Sequence, residues 1–404
     1  MPQLRVLYER QPILCRLIHQ WQSISNLCIA RWTGQNVCGM PISYCEASWT
    51  GLLNFRTCTY MPLALSLLPS DDCRKALPPA LRDFDESLRS GLSPTYQEKW
   101  PQLQNARFFL GAGDGAVANL GSKCSVAGRI ACTIGTSAAA RVCVPLPIVS
   151  EDEQDFTFRV PKGLFCYRID KKHVLLGGAL TDGGSAVEWI RNLLNLNDPH
   201  DFDKCIEQVG DALEKAQDKA CSDANHPKSS KLSTVPFLGG ERSVGYRSGA
   251  TGLIYGLTRE TTSTDLVQSC LEGITLRLGA IIERIQNAVL PDNDLELRPQ
   301  IIVSGKGLEV NRVWRQMIAN CTGLHTLLDK STFGGTLRGV AILLLSRLRA
   351  EDCSQSSFPT ESVGGEGSLL SHPQTNSEVY WREMSQQQEN LISAVSPLFG
   401  SGIQ

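Results

Sequence analysis

The sequence predicts an α/β protein built in two domains. Three observations carry that expectation. The chain has 404 residues, more than one ordinary core uses. Its middle holds two apolar hairpins, and a later apolar run enters a glycine loop. Around them lie long stretches whose apolar residues recur at helical spacing.

Composition narrows the class. Hydrophobic residues make up 42% and charged residues 20%, the balance of a globular chain rather than a disordered one. The net charge is −2. Nucleic acid and anionic membranes both call for basic clusters, so neither is an expected partner. Fifteen cysteines are scattered without a CxxC pair, and neither they nor the six histidines have zinc spacing, so no metal ligand is assigned. They read as reduced, mostly buried thiols, which points to a cytoplasmic protein. Residues Leu14 to Ile29 are broken by Arg16, His19, Gln20 and Gln22 and do not resemble a signal peptide. The longest apolar candidate, Val340 to Leu345, is far too short to span a bilayer.

In chain order, residues 12–32 have helical spacing at Leu14, Leu17, Ile18 and Trp21. A loop-rich stretch and a Pro-rich, acidic region (Asp83 to Glu86) follow. Phe108 to Leu110 reads as a buried strand entering a glycine loop with Asp114 at its centre. Residues 130–134 and 138–144 form a hairpin about Gly135-Thr136-Ser137, and 164–169 and 173–176 form a second about Asp170 to Lys172. Four helices stand out by period. Their apolar faces include Ala186 and Ile190, Cys205 and Val209, Val267 and Ile285, and Tyr380 and Val395. The third is expected to start at a cap on Ser263 or Thr264. A polar loop spans Ser222 to Ser233. Gln300 to Ser304 is a strand, Gly305 to Gly307 a loop, and Asn311 the cap of the next helix. Residues 351–377, rich in Ser, Gly, Pro and Glu, read as a flexible linker before a final helix.

Several motifs bear on chemistry. FFLGAGDGAVAN (Phe108 to Asn119) holds a carboxylate in a glycine loop at a strand end, which suits a general base facing a substrate hydroxyl. A solvated turn aspartate would look the same. Gly111, Gly113 and Ala116 also match the dinucleotide fingerprint. That fold needs an acidic residue about twenty positions on, and none occurs between Asp114 and Glu151. CTIGTSAAA (Cys132 to Ala140) offers turn amides and two hydroxyls to an anion, or is simply a tight hairpin. SGKGLEVNRVW (Ser304 to Trp314) is a strand–glycine–helix junction without P-loop spacing. PFLGGER (Pro236 to Arg242) reads as a buried Glu–Arg pair of structural use.

The order and spacing of these stretches are more specific than any one of them. SYCEASWTGLLN, GAGDGAVANLGS, IGTSAAAR, PFLGGER, CLEGITLRLGAI, SGKGLEVNRVWRQMIANCTG and GTLRGVAILL together resemble the FGGY carbohydrate kinases over about Ala30 to Ser346, plus a final helix. The first stretch looks more like the gluconate and ketopentose branch than the glycerol branch. The resemblance implies an actin-like, ribonuclease-H-like fold of two lobes, with ATP, Mg²⁺ and a small sugar or sugar acid in the cleft. It implies residues 1–122 as the sugar-side lobe, 123–350 as the ATP-side lobe, 351–377 as a linker and 378–404 as a terminal helix. It assigns Asp114 as catalytic base and substrate ligand, Gly135 and Thr136 to the phosphate loop, and Gly307 and Asn311 to the adenosine side.

Three departures accompany it. Lys306 stands where the family's loop has its first glycine, and Val244 where a proline usually follows the GER element. The Asp-x-Gly-Thr hairpin that opens family members does not occur, so the first lobe is expected to be incomplete and the chain alone to turn over slowly. A sugar- or partner-binding member without catalysis, and an actin-like interaction protein, stay open beside the kinase. The particular sugar and any homo-oligomer are not legible.

Overall fold

A computed structural model describes residues 2–86, 91–125, 128–150, 158–222, 232–289, 299–329, 334–352 and 370–399. Its centre is a seven-stranded mixed sheet. In chain order the strands are β1 (Arg129–Ile134), β2 (Ala138–Pro145), β3 (Phe165–Arg168), β4 (His173–Leu180), β5 (Gln300–Ser304), β6 (His325–Leu328) and β7 (Leu370–Ser371). They lie side by side as β7-β6-β5-β1-β2-β4-β3. β5 runs parallel to both β1 and β6, and the remaining pairs are antiparallel.

Alternation sorts the side chains onto two faces. Ile130, Cys132 and Ile134 of β1, Ala138, Ala140 and Val142 of β2, and Val174 and Leu176 of β4 all join the larger core. Long helices cover that face: α2 (Gly184–Leu193), α3 (Pro199–Ser222), α4 (Ser263–Val289), α5 (Arg312–Thr322) and α7 (Glu378–Val395). α4 runs through the middle of this layer, with Val267, Leu271, Ile274, Leu278, Ile281 and Ile285 buried in the same core. The opposite face packs Cys143, Ile169 and Leu175 against two further helices. These are α1 (Asp114–Gly121), through Ala116, Val117 and Leu120, and α6 (Gly335–Asp352), through Leu343.

The α1–α6 crossing is a backbone-to-backbone contact. A Cβ added at Gly339 would overlap the carbonyl oxygen of Val117, and one at Gly121 would overlap that of Gly335. The Arg338 guanidinium donates to the Gly121 carbonyl and pairs with Asp329 at 2.6 Å. α1 and α6 are thereby held in direct backbone contact.

Both hairpins and all four periodic helices occur as their patterns predict. Some expectations are corrected. Residues 12–32 are not one helix. Pro2–Arg10, Pro12–Arg16 and Ile24–Thr33 are separate, Leu14 and Leu17 are exposed, and Ser23 starts the last by accepting from the Asn26 N–H at 3.2 Å. Phe108 makes only an isolated bridge, and Asp114 is the first residue of α1 rather than the middle of a loop. α4 is capped by Thr262, whose hydroxyl accepts from the Asp265 N–H at 3.2 Å, and not by Ser263 or Thr264. Lys306–Val310 is a short helix, so Gly307 sits in helix, not loop. Of the stretch read as a linker, 353–369 lies outside the described residues. Leu370 and Ser371 form the edge strand β7, antiparallel to β6. Residues 223–231 of the polar loop also lie outside.

The segments before α1 are tied to the sheet by polar contacts. Arg168 is fully buried and donates to the carbonyls of Phe55, Arg56, Leu146, Pro147 and Lys171, which meets the cost of burying a guanidinium. Asp83 accepts from the Lys171 N–H at 3.2 Å. Burial, then the neighbouring Asp170 and Asp85, push its carboxyl up to about 6.

Two outcomes follow from these contacts. Gly339→Val should destabilise the fold by at least about 2 kcal/mol in urea unfolding, because backbone cannot yield to a new side chain. Gly39→Ala, with open space around it, should stay within about 0.5 kcal/mol. Equal effects would remove the crossing as a constraint. For Asp83, the folded state keeps a proton that the unfolded chain has lost between about pH 4 and 6, so its contribution to stability falls as pH rises through that window. Asp83→Asn should therefore reduce the loss of unfolding free energy between pH 4 and 7 by about 1–2 kcal/mol. An unchanged pH slope would contradict this.

Candidate functional site

The sheet brings two glycine turns together. β1 and β5 are parallel neighbours, so their carboxyl ends lie side by side, and Thr133 Oγ1 is 2.9 Å from Ser304 Oγ. In parallel arrangements that edge is where ligands bind, because the loops beyond it open outward. Beyond β1 the turn Gly135-Thr136-Ser137 is exposed. It is held from behind by the start of α2. The N–H groups of Gly183 and Gly184 donate to the carbonyls of Thr136 and Gly135 at 2.9 and 2.7 Å, and the Ser185 hydroxyl donates to the Thr136 carbonyl at 2.9 Å. Asp182 steadies this junction, accepting from Ser185 Oγ at 2.9 Å and from the Gly239 N–H at 2.7 Å.

Beyond β5 the chain turns at Gly305, whose φ of +96° only glycine adopts without strain, and presses against the Ile134 carbonyl. Gly307 packs on Trp314, with 3.3 Å between its Cβ position and the ring, and on Ile134 at 3.8 Å. Gly135, Thr136 and Gly307 thus meet around Ile134, the last residue of β1. Asn311 is buried and its carboxamide is committed. Oδ1 accepts from the Trp314 N–H at 2.9 Å and caps α5, while Trp314 Nε1 donates to Thr275 at 3.0 Å. It shapes the site from behind.

Asp114 is exposed at the amino end of α1, the helix packed on the other face of the sheet. Its Oδ1 accepts from the Gly115 N–H at 2.7 Å. The turn before it is fixed by Ser43 to Trp49. The Ser43 hydroxyl donates to the Gly111 carbonyl at 2.6 Å, and the Gly113 N–H donates to Cys45 Sγ at 3.2 Å. Trp49 covers Gly113, its ring 2.7 Å from the Cβ position, and meets Tyr167 edge-on at 5.6 Å between centroids. A Cβ at Gly115 would lie 2.9 Å from the Tyr167 hydroxyl and 3.6 Å from Arg141 Nε.

Trp49, Arg141, Tyr167 and Asp182 were not singled out from the sequence. Arg141 did carry a signal: it is the one charged residue in an otherwise small and apolar strand. The Glu241–Arg242 pair expected of PFLGGER is corrected. Glu241 pairs instead with Arg247 at 2.7 Å and Arg277 at 3.3 Å, and Arg277 with Glu389 at 2.5 Å. Among the described residues no helix is long and apolar enough to cross a membrane.

Comparison with known proteins agrees with this layout. Among curated proteins, the chain is 26% identical over 308 residues to gluconokinase of Bacillus subtilis, covering 75% of this chain and 54% of that protein. It is 27% identical over 236 residues to glycerol kinase of Nitrosomonas eutropha, covering 57% and 41%. The chain spans about half the length of the curated relatives it matches. Among solved structures it superposes on gluconate kinase from Lactobacillus acidophilus with TM-score 0.73 at 23% identity, over 95% of this chain and 69% of that one. Xylulose kinase from the same organism gives TM-score 0.73 at 22% identity over the same shares. The shared architecture is the actin-like ATPase fold of sugar kinases. Residues 130–347, which run from the first sheet strand through most of α6 and make up more than half of the chain, match the C-terminal domain of the FGGY family of carbohydrate kinases, and the chain belongs to that family.

Proposed function

We propose that the protein is an ATP-dependent carbohydrate kinase that phosphorylates a hydroxyl of a sugar, sugar acid or polyol, with Asp114 as general base. The supporting observation is the placement of one exposed carboxylate beside an aromatic face on the sheet that also carries the exposed Gly135–Ser137 turn. In this reading residues 1–122 supply the sugar side and residues 123–350 the nucleotide side. Gly135 and Thr136 receive the phosphates of ATP, and Gly307, held in place by the Asn311 cap, borders the adenosine.

Chemically, the substrate hydroxyl attacks the γ-phosphorus as Asp114 takes its proton. A new P–O bond forms, the bond to the β-phosphate oxygen breaks, and ADP leaves with the electron pair. Trp49 and Tyr167 give the C–H face of a sugar an apolar wall and keep water from the attacking oxygen. Magnesium would enter with the ATP phosphates, which supply oxygen ligands to it; among the described residues no group of three metal-ligating side chains occurs. No step is assigned to it.

A coupled assay of ADP release over sugars, sugar acids and polyols tests the reading. It should be run on the 404-residue chain and on a form extended at its amino end. Asp114→Asn should lower substrate-dependent turnover by about 100-fold or more while leaving ADP affinity nearly unchanged. Full activity in that variant would remove Asp114 from the role. Substrate binding with no turnover in either form would favour a binding protein over a kinase.

A further inference from the structure

Arg141 is out of keeping with its surroundings. It lies in the middle of β2, opposite Gly177 of β4 and Ala131 of β1, in a strand otherwise made of Ala, Val, Cys and Pro. It is half-buried, yet among the described residues its guanidinium has no carboxylate partner and no hydrogen bond. Other arginines are satisfied: Arg168 by backbone carbonyls, Arg338 by Asp329 and Arg277 by Glu241 and Glu389. A guanidinium that has no partner among the described residues can meet an anion with its parallel N–H groups.

The surroundings define that anion. Arg141 Nε lies 3.6 Å and its Cζ 3.8 Å from the Cβ position of Gly115, the residue after Asp114. The Tyr167 hydroxyl is 2.9 Å from the same point, and Trp49 closes the other side over Gly113. Two donors therefore flank the start of α1 within reach of one small ligand. Arg141 is three residues along β2 from Ala138, where the Gly135–Ser137 turn ends, or about 10 Å at 3.4 Å per residue. That separation is between backbone positions along the strand. It suits a ligand that places an anionic end at Arg141 and a hydroxyl nearer the turn.

Resting on the kinase reading above, we infer that Arg141, with the Tyr167 hydroxyl beside it, receives the carboxylate of the substrate, and that the substrate class is an aldonic acid, not a neutral sugar. A guanidinium binds a carboxylate through two parallel N–H bonds and has no equivalent bond to a terminal CH₂OH. The preference is therefore a property of one end of the substrate, separate from the phosphoryl acceptor at the other.

Calorimetric titration of the 404-residue chain with D-gluconate, D-glucitol and ADP tests this. Gluconate and glucitol differ only in carboxylate against CH₂OH. Gluconate should bind at least tenfold more tightly than glucitol. Arg141→Gln should lose that margin while its glucitol and ADP affinities hold, and Arg141→Lys, which keeps the charge without the fork, should retain part of it. Melting temperatures report whether each variant folds, and Tyr167→Phe gives a second, milder variant expected to weaken gluconate alone. Equal binding of the two polyols, or an unchanged margin in Arg141→Gln, would overturn the carboxylate assignment and leave the kinase reading standing. Loss of ADP affinity in Arg141→Gln would make Arg141 a phosphate ligand and also overturn it. Binding of neither polyol would overturn both.

Discussion

The backbone contact between α1 and α6 is the constraint from which the rest of the arrangement follows. Gly121 and Gly339 let two helices meet without side chains between them. The amino end of α1 is therefore set by main chain and cannot drift with side-chain repacking. Asp114 is the first residue of that helix. Its position relative to Arg141 and Tyr167 is inherited from a glycine contact two turns away. Catalytic geometry tolerates little error, so a carboxylate meant to meet a hydroxyl gains from being carried on such a rigid mount.

The opposite face works by a different device. There α4 fills a deep apolar layer beneath the sheet, and the parallel pair β1–β5 brings two glycine turns to one edge. The turns are held from behind, by the start of α2 and by the Asn311 cap, so their outward surfaces stay available. The two halves of the proposed chemistry are thus supported by two independent cores. Between them runs β2, which begins at the Gly135–Ser137 turn and carries Arg141 in its middle. The buried polar groups follow the same division: Arg168 ties the early segments to β3, and Glu241 with Arg277 ties the segment between α3 and α4 to α4 and α7.

Much of this was legible in the sequence because it is periodic. The hairpins of β1 to β4 are apolar runs bounded by turn residues, and the helices α2 to α5 and α7 carry unmistakable stripes. Asn311 as a cap could be read from its place before Val313 and Trp314. What escaped has a common cause, the dependence on partners far away in sequence. Leu14 and Leu17 have helical spacing but are exposed, and the helix ends at Arg16 before Ser23 starts the next one. Thr262 outcompetes Ser263 because Asp265 reciprocates its hydrogen bond. Leu370 and Ser371 sit at the end of a polar stretch and become a strand only because β6 offers an edge. The residues proposed for the site divide the same way. Asp114, Gly135, Thr136 and Gly307 lie in glycine-rich motifs that mark themselves. Trp49, Arg141 and Tyr167 are ordinary residues until the fold gathers them around Gly113 and Gly115.

The central claim is that one site joins the start of α1 to the turn beyond β1. A crystal structure with a non-hydrolysable ATP analogue and D-gluconate tests it most directly. The account places the terminal phosphate against Gly135 and Thr136, and a gluconate hydroxyl within hydrogen-bonding distance of the Asp114 carboxylate and in line with that phosphate. Nucleotide bound away from the Gly135–Ser137 turn, or a ligand that leaves Asp114 facing solvent alone, would contradict it.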